Sequence, residues 1–266
     1  MTRLRSRSFL LLAVGSALAL LPCVHAQQPA SPSDSTTVAE QYLLAAANQE
    51  RAARGLAQLH RDPQLARAAA QHALVMAQHG SISHQFAGEP ELTSRGAGAG
   101  VAFSVISENV GEAPSAVQIQ ELWMHSEHHR DNLLDPAVDA VGIRVIARGG
   151  ELYAVEDFAK TVRRVTLEQQ ESAIGALVAQ ASPITLATQS EVTSDARRTC
   201  SMSTGYAGQR KPWFVMRFTS DNLTELPTQL KTRLASGRYR EAAVGACAAN
   251  NTGSFSSYNI AVLLFP

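Results

Sequence analysis

Two amphipathic helices are predicted at the start of the chain. The first runs from about Val38 to Arg54 and ends at Gly55, and its apolar side comprises Tyr42, Leu43, Ala46 and Ala47. Asp62-Pro63 begins the second with N-cap and N1 residues in the right order, and Gly80 ends it. One side of this helix carries Leu65, Ala69, His72, Met76 and His79. We interpret His72 as a partly buried residue with a satisfied ring and His79 as a cap that compensates the helix dipole.

Less regular sequence follows, and it carries several polar side chains. Ser81-Ile82-Ser83-His84 comes after the helix stop and is predicted to be a loop. The range 95–100 holds three glycines, which argues against a regular helix there. A short apolar strand is predicted from Val101 to Ile106, and Glu108 follows it.

A third amphipathic helix and a hairpin complete this half. Ser115 is a plausible N-cap, and Ile119, Leu122, Trp123 and Ser126 fit the helical spacing up to the histidine-rich run 125–129. Val141–Ala147 and Glu151–Phe158 are predicted strands joined at Arg148-Gly149-Gly150. The order helix, helix, strand, helix, hairpin favours helices packed against an antiparallel sheet.

The second half is predicted to be a smaller α+β unit. Thr166 and Gln169 form a capping box for a helix to about Gln180, and Leu226, Leu230 and Leu234 mark another that stops at Gly237. The remaining predicted elements are a short strand at 184–187, a short helix at 195–202, a strand at 213–218 and a final hairpin of 242–248 with 257–265. The aromatic residues Tyr206, Trp213, Phe214 and Tyr239 fit core packing better than a ligand face. The pattern of Val141-Gly142 followed by Tyr153 resembles that of Val244-Gly245 followed by Tyr258, but the similarity is too short to establish a repeat.

Residues 1–26 have the pattern of a cleaved secretory signal peptide. Arg3, Arg5 and Arg7 precede an apolar stretch from Phe9 to Leu21, and small residues at Val24 and Ala26 favour cleavage near Ala26. The apolar stretch is too short for a comfortable membrane span. Cys23 follows a proline, which disfavours lipidation. We therefore expect a secreted, periplasmic or cell-envelope protein with no transmembrane segment after cleavage.

Charge and cysteine content indicate which binding partners are not expected and whether the protein contains a disulfide. The chain has 23 basic and 23 acidic residues and no basic block, so nucleic acid is not an expected partner. After signal cleavage the remaining cysteines are Cys200 and Cys247, which in an exported protein are most simply a disulfide. A bridge closing a loop of about fifty residues contributes about 4 kcal/mol in the chain-entropy model.

A long set of positions in the first half forms a recognisable pattern: Asn48, Arg51, Gly55-Leu56, Leu59, Asp62, Leu65, Met76, Gly80, Ser83-His84, Arg95, Glu108-Asn109-Val110, Trp123-Met124, Ser126, His129-Arg130, Asn132-Leu133-Leu134, Val141-Gly142, Tyr153 and Asp157-Phe158. In this order and spacing they resemble a bacterial CAP (SCP/PR-1-like) domain over roughly residues 39–160. The resemblance implies an α-β-α sandwich with a central cavity. In the family, histidines and glutamates meet there and in some members hold a divalent metal.

Carried over by position, the resemblance implies a site of His84, Glu108 and His129. Ser126 stands where members with a full tetrad have a second glutamate, which leaves the fourth ligand open. Two imidazoles and a carboxylate suit Zn²⁺, but the same atoms form a plausible hydrogen-bonded cluster without metal. His125 and His129, four residues apart, are a second-ranked pair for a metal on one helix face. Arg130 and Asn132 are interpreted as holding the turn through backbone hydrogen bonds, and Trp123 as core.

These observations define the hypotheses for fold and function. The fold class is α+β, with a signal peptide at 1–26, a flexible linker at 27–38, an α-β-α sandwich at 39–160 and a smaller α+β domain at 161–266. The leading hypothesis is a non-enzymatic secreted protein whose His/Glu groove binds a divalent metal such as Zn²⁺, a lipid or a wall component, with an extracellular lipid, wall or protein partner. The rivals are a metal-dependent hydrolase of peptides, esters or wall polymers, with Glu108 as ligand or general base, and a lipid carrier.

Overall fold

The first half of the chain folds around a mixed sheet. The computed structural model describes residues 36–248 and 254–266. The predicted signal peptide, most of the predicted linker and the turn of the last hairpin lie outside the described residues. The four strands of the first sheet are β1 (His60–Arg61), β2 (Phe103–Ala113), β3 (Ala140–Arg148) and β4 (Glu151–Thr161). Their order is β1-β3-β4-β2, with β1 parallel to β3 and the other pairs antiparallel, so β2 forms an edge.

Helices cover both faces of this sheet. They are α1 (Val38–Ala52), α2 (Pro63–His79), α3 (Leu92–Gly98), α4 (Ala116–His125) and α5 (Glu127–Leu134). Since strand side chains alternate between faces, Val110 and Val155 pack with Met76 of α2, while Ala154 and Phe158 pack with the helices on the opposite face. That second group is α1, α4 and α5, with Trp123 fully buried. The expected α-β-α sandwich is confirmed.

The predicted caps of α2 are confirmed, and this helix lies very close to the sheet. Asp62 accepts hydrogen bonds from two N–H groups in the first turn of α2, and Gly80 ends this helix at φ 65°. A Cβ at Gly142 of β3 would lie 2.1 Å from the carbonyl carbon of Leu65. Only glycine therefore lets α2 rest directly on the sheet.

Two local predictions are wrong, both because tertiary contacts override local preference. The glycine-rich range 95–100 was expected to be non-helical, but α3 extends through Gly98. Gly96 is buried, and a Cβ there would lie 2.7 Å from Ile106 Cδ1, so packing requires a small residue at this position. The strand expected to end at Ile106 continues as β2 to Ala113, which places Glu108 inside the sheet.

The second half builds another three-layer unit. Its helices are α6 (Leu167–Ala181), α7 (Ser190–Cys200) and α8 (Thr228–Ala235), and its strands are β5 (Thr185–Leu186), β6 (Phe214–Ser220), β7 (Glu241–Cys247) and β8 (Tyr258–Phe265). The strand order is β5-β7-β8-β6. One apolar cluster includes residues of α6 and α8, and another packs Ala196 of α7 against the other face of the sheet. The predicted α+β unit and the Cys200–Cys247 disulfide are both confirmed.

No helix within the described ranges is long and apolar enough to span a membrane.

Candidate functional site

The candidate site lies at the edge strand β2, where Glu108 faces α2. Glu108 is 5% exposed, and Asp157 of β4 stands directly opposite it in the strand register. Burial raises the pKa of Asp157 well above its usual range, and the nearby Glu108 charge adds to the effect. Burial therefore favours the neutral form of Asp157, while the charge of Glu108 is compensated by the partners described next.

His84 reaches Glu108 from the loop that follows α2. Its Nδ1 lies 2.9 Å from Glu108 Oε1. Because a carboxylate only accepts, Nδ1 carries the proton and Nε2 is left as the free ring nitrogen. This hydrogen bond raises the pKa of His84, partly opposed by burial. The side chain is 62% exposed, so the free nitrogen is accessible.

Arg95 of α3 holds the other oxygen of the same carboxylate. Its guanidinium forms an ion pair with Glu108 Oε2, and both side chains are almost completely buried. Arg95 also donates to the carbonyl oxygens of His84, at 3.4 Å, and Pro90, at 3.1 Å. Both oxygens of Glu108 thus have a partner, one in His84 and one in Arg95. The short helix α3, which the sequence did not predict, is the element that delivers this arginine.

His129 approaches from α5 on the other side of the edge strand. Asn109 donates to the His129 carbonyl at 3.0 Å, and Asn132 donates at 3.1 Å to the Glu108 carbonyl and to the Asn109 side chain. Arg51 of α1 holds the end of α5 by donating to the Leu133 carbonyl at 2.9 Å. These bonds fix the backbone that carries the imidazole.

The His129 ring is neutral and one of its nitrogens is unsatisfied. Burial lowers the pKa of His129, and the neighbouring His84 and His128 lower it further. Its Nδ1 is buried and has no hydrogen-bond partner among the described residues. The ring centroids of His84 and His129 are 6.5 Å apart. The structure therefore brings together the three residues that the family resemblance implied.

Ser126 and His125 have other surroundings. Ser126 ends α4 in an extended conformation, φ −94° and ψ 123°, and α5 begins at the next residue. His125 and His129 therefore belong to separate helices, not to one continuous face. His125 is exposed, its Nδ1 donates to the Glu121 carbonyl at 2.7 Å, and it lines a cleft of about 600 Å³ beside α4.

The turn residues behave as predicted. Arg130 donates to the Met124 carbonyl at 3.2 Å, across the break between α4 and α5. Glu127 and His128 are exposed.

Among the described residues, no cluster of three or more His, Cys, Asp or Glu side chains has the arrangement of a metal site.

Sequence reasoning did not connect four residues with Glu108 that lie near it in the structure. Arg95 and Asp157 belong to the family pattern but had no stated function, and Glu89 was not singled out. His72 was expected to have a satisfied ring, which is confirmed, but it is fully buried and its partners belong to the site. The sequence signal that could have linked His72 to a polar site was its position in an otherwise apolar stripe of alanines and Met76, since a buried imidazole needs nearby polar partners.

Comparison with known proteins finds one family match, within the first half of the chain. The sequence model of the cysteine-rich secretory protein family, CAP, matches residues 44–158. No curated protein matches the chain.

Three solved structures illustrate the likeness. An outer surface protein from Borrelia burgdorferi is 19% identical with a TM-score of 0.45, over 48% of this chain and 96% of that one. An extracellular SCP-domain protein from Bacillus anthracis is 25% identical with a TM-score of 0.43, over 46% of this chain and 40% of that one. Na-ASP-1 is 9% identical with a TM-score of 0.46, over 88% of this chain and 90% of that one.

The match spans the sheet, both helical layers and all three residues of the site. Residues 44–158 of this chain therefore match a CAP domain of the cysteine-rich secretory protein family.

Proposed function

We propose that this protein is a secreted, non-enzymatic binding protein whose CAP-domain cleft takes a divalent cation such as Zn²⁺ through His84 and His129. The observation that carries the proposal is the buried Nδ1 of the neutral His129 ring, which has no hydrogen-bond partner in the part of the chain that the structure describes. A buried polar atom without a partner is costly unless something else satisfies it. A neutral imidazole nitrogen is a preferred zinc ligand.

His84 supplies the second donor in this proposal. A metal-bound histidine usually donates its other ring N–H to a carboxylate, which fixes the tautomer. His84 has this arrangement already, with Nδ1 held by Glu108 and Nε2 free. The centroid separation of 6.5 Å requires the exposed His84 ring to approach by about 1 Å, since Zn–N bonds are about 2.1 Å.

Glu108 orients His84 in this proposal and is not itself a ligand. Its two oxygens are engaged by His84 and Arg95, and breaking the ion pair would leave a buried guanidinium without compensation. The same contacts make Glu108 a poor general base, which favours binding over the rival hydrolase. Two protein donors leave coordination positions for water or for an oxygen of an extracellular ligand, such as a wall component or a lipid headgroup.

Export is part of the same proposal. The amino-terminal pattern of arginines followed by an apolar stretch supports secretion, and so does the Cys200–Cys247 disulfide, which persists mainly in oxidising compartments.

The decisive experiment is zinc titration by calorimetry on mature protein purified without chelators or affinity-tag metal. Wild type is expected to bind near one equivalent, and His84→Ala or His129→Ala to lose at least tenfold in affinity. His128→Ala is the matched control, because this exposed neighbour on the same helix should bind as wild type does. An effect of His125→Ala equal to that of His129→Ala would favour the alternative pair. Absence of zinc uptake by the folded wild type would rule out the cation site.

The same preparations test the rivals. Zinc-loaded protein is expected to leave peptides, esters and wall polymers intact. Hydrolysis that stops with chelator and in folded His129→Ala would instead establish the hydrolase. Lipid that co-purifies regardless of zinc would support the carrier hypothesis.

A further inference from the structure

His72 of α2 makes two short hydrogen bonds from a fully buried position. Its Nδ1 lies 2.7 Å from Glu89 Oε1, and its Nε2 lies 2.7 Å from the carbonyl oxygen of Ser83. The same Nε2 is 3.9 Å from Glu108 Oε2. One imidazole therefore contacts both the loop that carries His84 and the carboxylates beneath the site.

The direction of these bonds follows from the partners. A carbonyl oxygen only accepts, so Nε2 must donate to Ser83. The Nδ1–Glu89 pair shares a second proton, held on either atom. The surrounding stripe of α2 is apolar, with Ala69, Ala73 and Met76 all fully buried. A histidine there is tolerated only because both nitrogens are satisfied.

The loop between α2 and α3 depends on side-chain contacts for its position. It has no strand or helix between Gly80 and Leu92. His72 holds the carbonyl of Ser83, and Arg95 holds the carbonyl of the next residue, His84. Glu89 closes the loop by accepting from the Phe86 N–H at 3.2 Å. The carbonyl groups on both sides of the His84 Cα thus accept hydrogen bonds from side chains.

We propose that His72 is a positioning residue of the site, which acts through the Ser83 carbonyl to hold the His84 ring beside that of His129. This inference rests on the proposed cation site for its effect on affinity. The positioning itself is a property of the metal-free protein and can be measured without any ligand.

Two substitutions separate the bonds of the ring. The amide nitrogen of glutamine reaches about the place of Nε2, whereas that of asparagine reaches only the place of Nδ1. His72→Gln should therefore keep the donor to Ser83 and lose the bond to Glu89. His72→Asn should do the reverse.

The first readout is ¹⁵N relaxation of the Ser83 and His84 amides in metal-free protein. Order parameters are expected to stay rigid, about 0.85, in wild type and His72→Gln, and to fall below about 0.6 in His72→Asn. The second is zinc affinity, expected to fall about tenfold in His72→Asn and to change little in His72→Gln. Melting temperatures of both variants control for general destabilisation.

The outcomes are distinct. If the two variants lose stability alike while Ser83 and His84 stay rigid, His72 is merely structural and the inference fails. If His72→Asn does not fold, His72→Gln decides alone, because a mobile loop in that variant would overturn the inference. If wild type binds no zinc, the cation proposal fails, yet the order parameters still test the positioning role.

Discussion

The two halves of this protein share one sheet plan and differ in what they attach to it. Each sheet places a two-residue parallel strand beside a hairpin and ends with an antiparallel edge strand: β1-β3-β4-β2 and β5-β7-β8-β6. Each also rests a helix on a glycine. A Cβ at Gly142 would lie 2.1 Å from Leu65 of α2, and one at Gly245 would lie 2.2 Å from Ala196 of α7.

The strand registers allow the halves to be aligned position by position. Gly142 and Glu108 are both opposite Asp157, while Gly245 and Arg217 are both opposite Ala261. Arg217 therefore occupies the place of Glu108, and Ala261 that of Asp157. By the same alignment, the polar pair Asn109–Glu156 of the first sheet corresponds to the apolar pair Phe218–Ile260 of the second.

The difference shows how a fold and a site are specified separately. The shared plan rests on apolar alternation and two close-packing glycines, features that tolerate much other change. The site depends on α3 and α5, which carry Arg95 and His129. Within the described residues, the second half has no helix between α7 and β6, and only α8 between β6 and β7, where the first half has both α4 and α5. The second half thus has the same strand plan but carries Arg217 in place of Glu108 and contains no histidine.

Substitution of Arg95 in the first half and of Arg217 in the second is expected to give the largest difference in stability between the two halves. Arg95→Met is expected to lower the free energy of unfolding by about 4 kcal/mol, because it leaves Glu108 buried without its cation. Arg217→Met should cost about 1 kcal/mol, because Arg217 is only partly buried and donates to the carbonyls of Thr199 and Gly205. Urea unfolding measures both, and equal costs would contradict the distinction between the halves.

The glycines test whether the two scaffolds are built alike. Gly142→Ala and Gly245→Ala are each expected to destabilise by about 3 kcal/mol, since the new methyl group meets helix backbone that cannot move aside. Gly98→Ala, which has open space around it, is the control and should be neutral or slightly stabilising. Thermal unfolding measures all three. Tolerance of alanine at Gly245 alone would break the equivalence.

The buried acid of the first sheet makes stability depend on pH. Burial raises the pKa of Glu156 to about 8, partly offset by the Asn109 amide. Between its ordinary pKa and this value, the folded state holds one more proton than the unfolded state. The free energy of unfolding therefore falls by about 1.4 kcal/mol per pH unit as pH rises through this window.

Glu156→Gln removes this titration and makes the sheet resemble its uncharged counterpart. Its gain in stability over wild type should grow steadily from about pH 5 to pH 8, as urea unfolding at several pH values would show. Glu50→Gln, at an exposed ion pair with Arg54, is the control and should show no such trend. A constant difference across that range would mean that Glu156 is already ionised in the folded protein.

The smallest expected effects concern the first helix of each half. Thr37 and Thr166 form capping boxes, with Glu40 and Gln169 respectively. Thr37→Ala and Thr166→Ala should each cost about 1 kcal/mol. Calorimetric melting temperatures measure both, and an unaffected Thr166→Ala would indicate that α6 is held by packing alone.

The sequence by itself determined the parts of this protein that depend on local periodicity and caps. The start and end of α2, the hairpin of β3 and β4 and the capping box of α6 were predicted correctly, because the residues responsible are neighbours in the chain. The resemblance to CAP domains supplied His84, Glu108 and His129 as a set. Their role as metal ligands stays a prediction.

Only the tertiary structure decided how these residues are connected. Three features could not be predicted from local sequence preference, because each follows from packing between distant segments. They are the helical conformation of α3, the inclusion of Glu108 in β2 and the break between helices at Ser126. His72 and Arg95 hydrogen-bond to the loop that carries His84. They do so because a buried polar group needs hydrogen-bond partners, and the fold determines which partners are near. The shared plan of the two halves likewise became visible only in the strand order, since a sheet constrains spacing and burial far more tightly than residue identity.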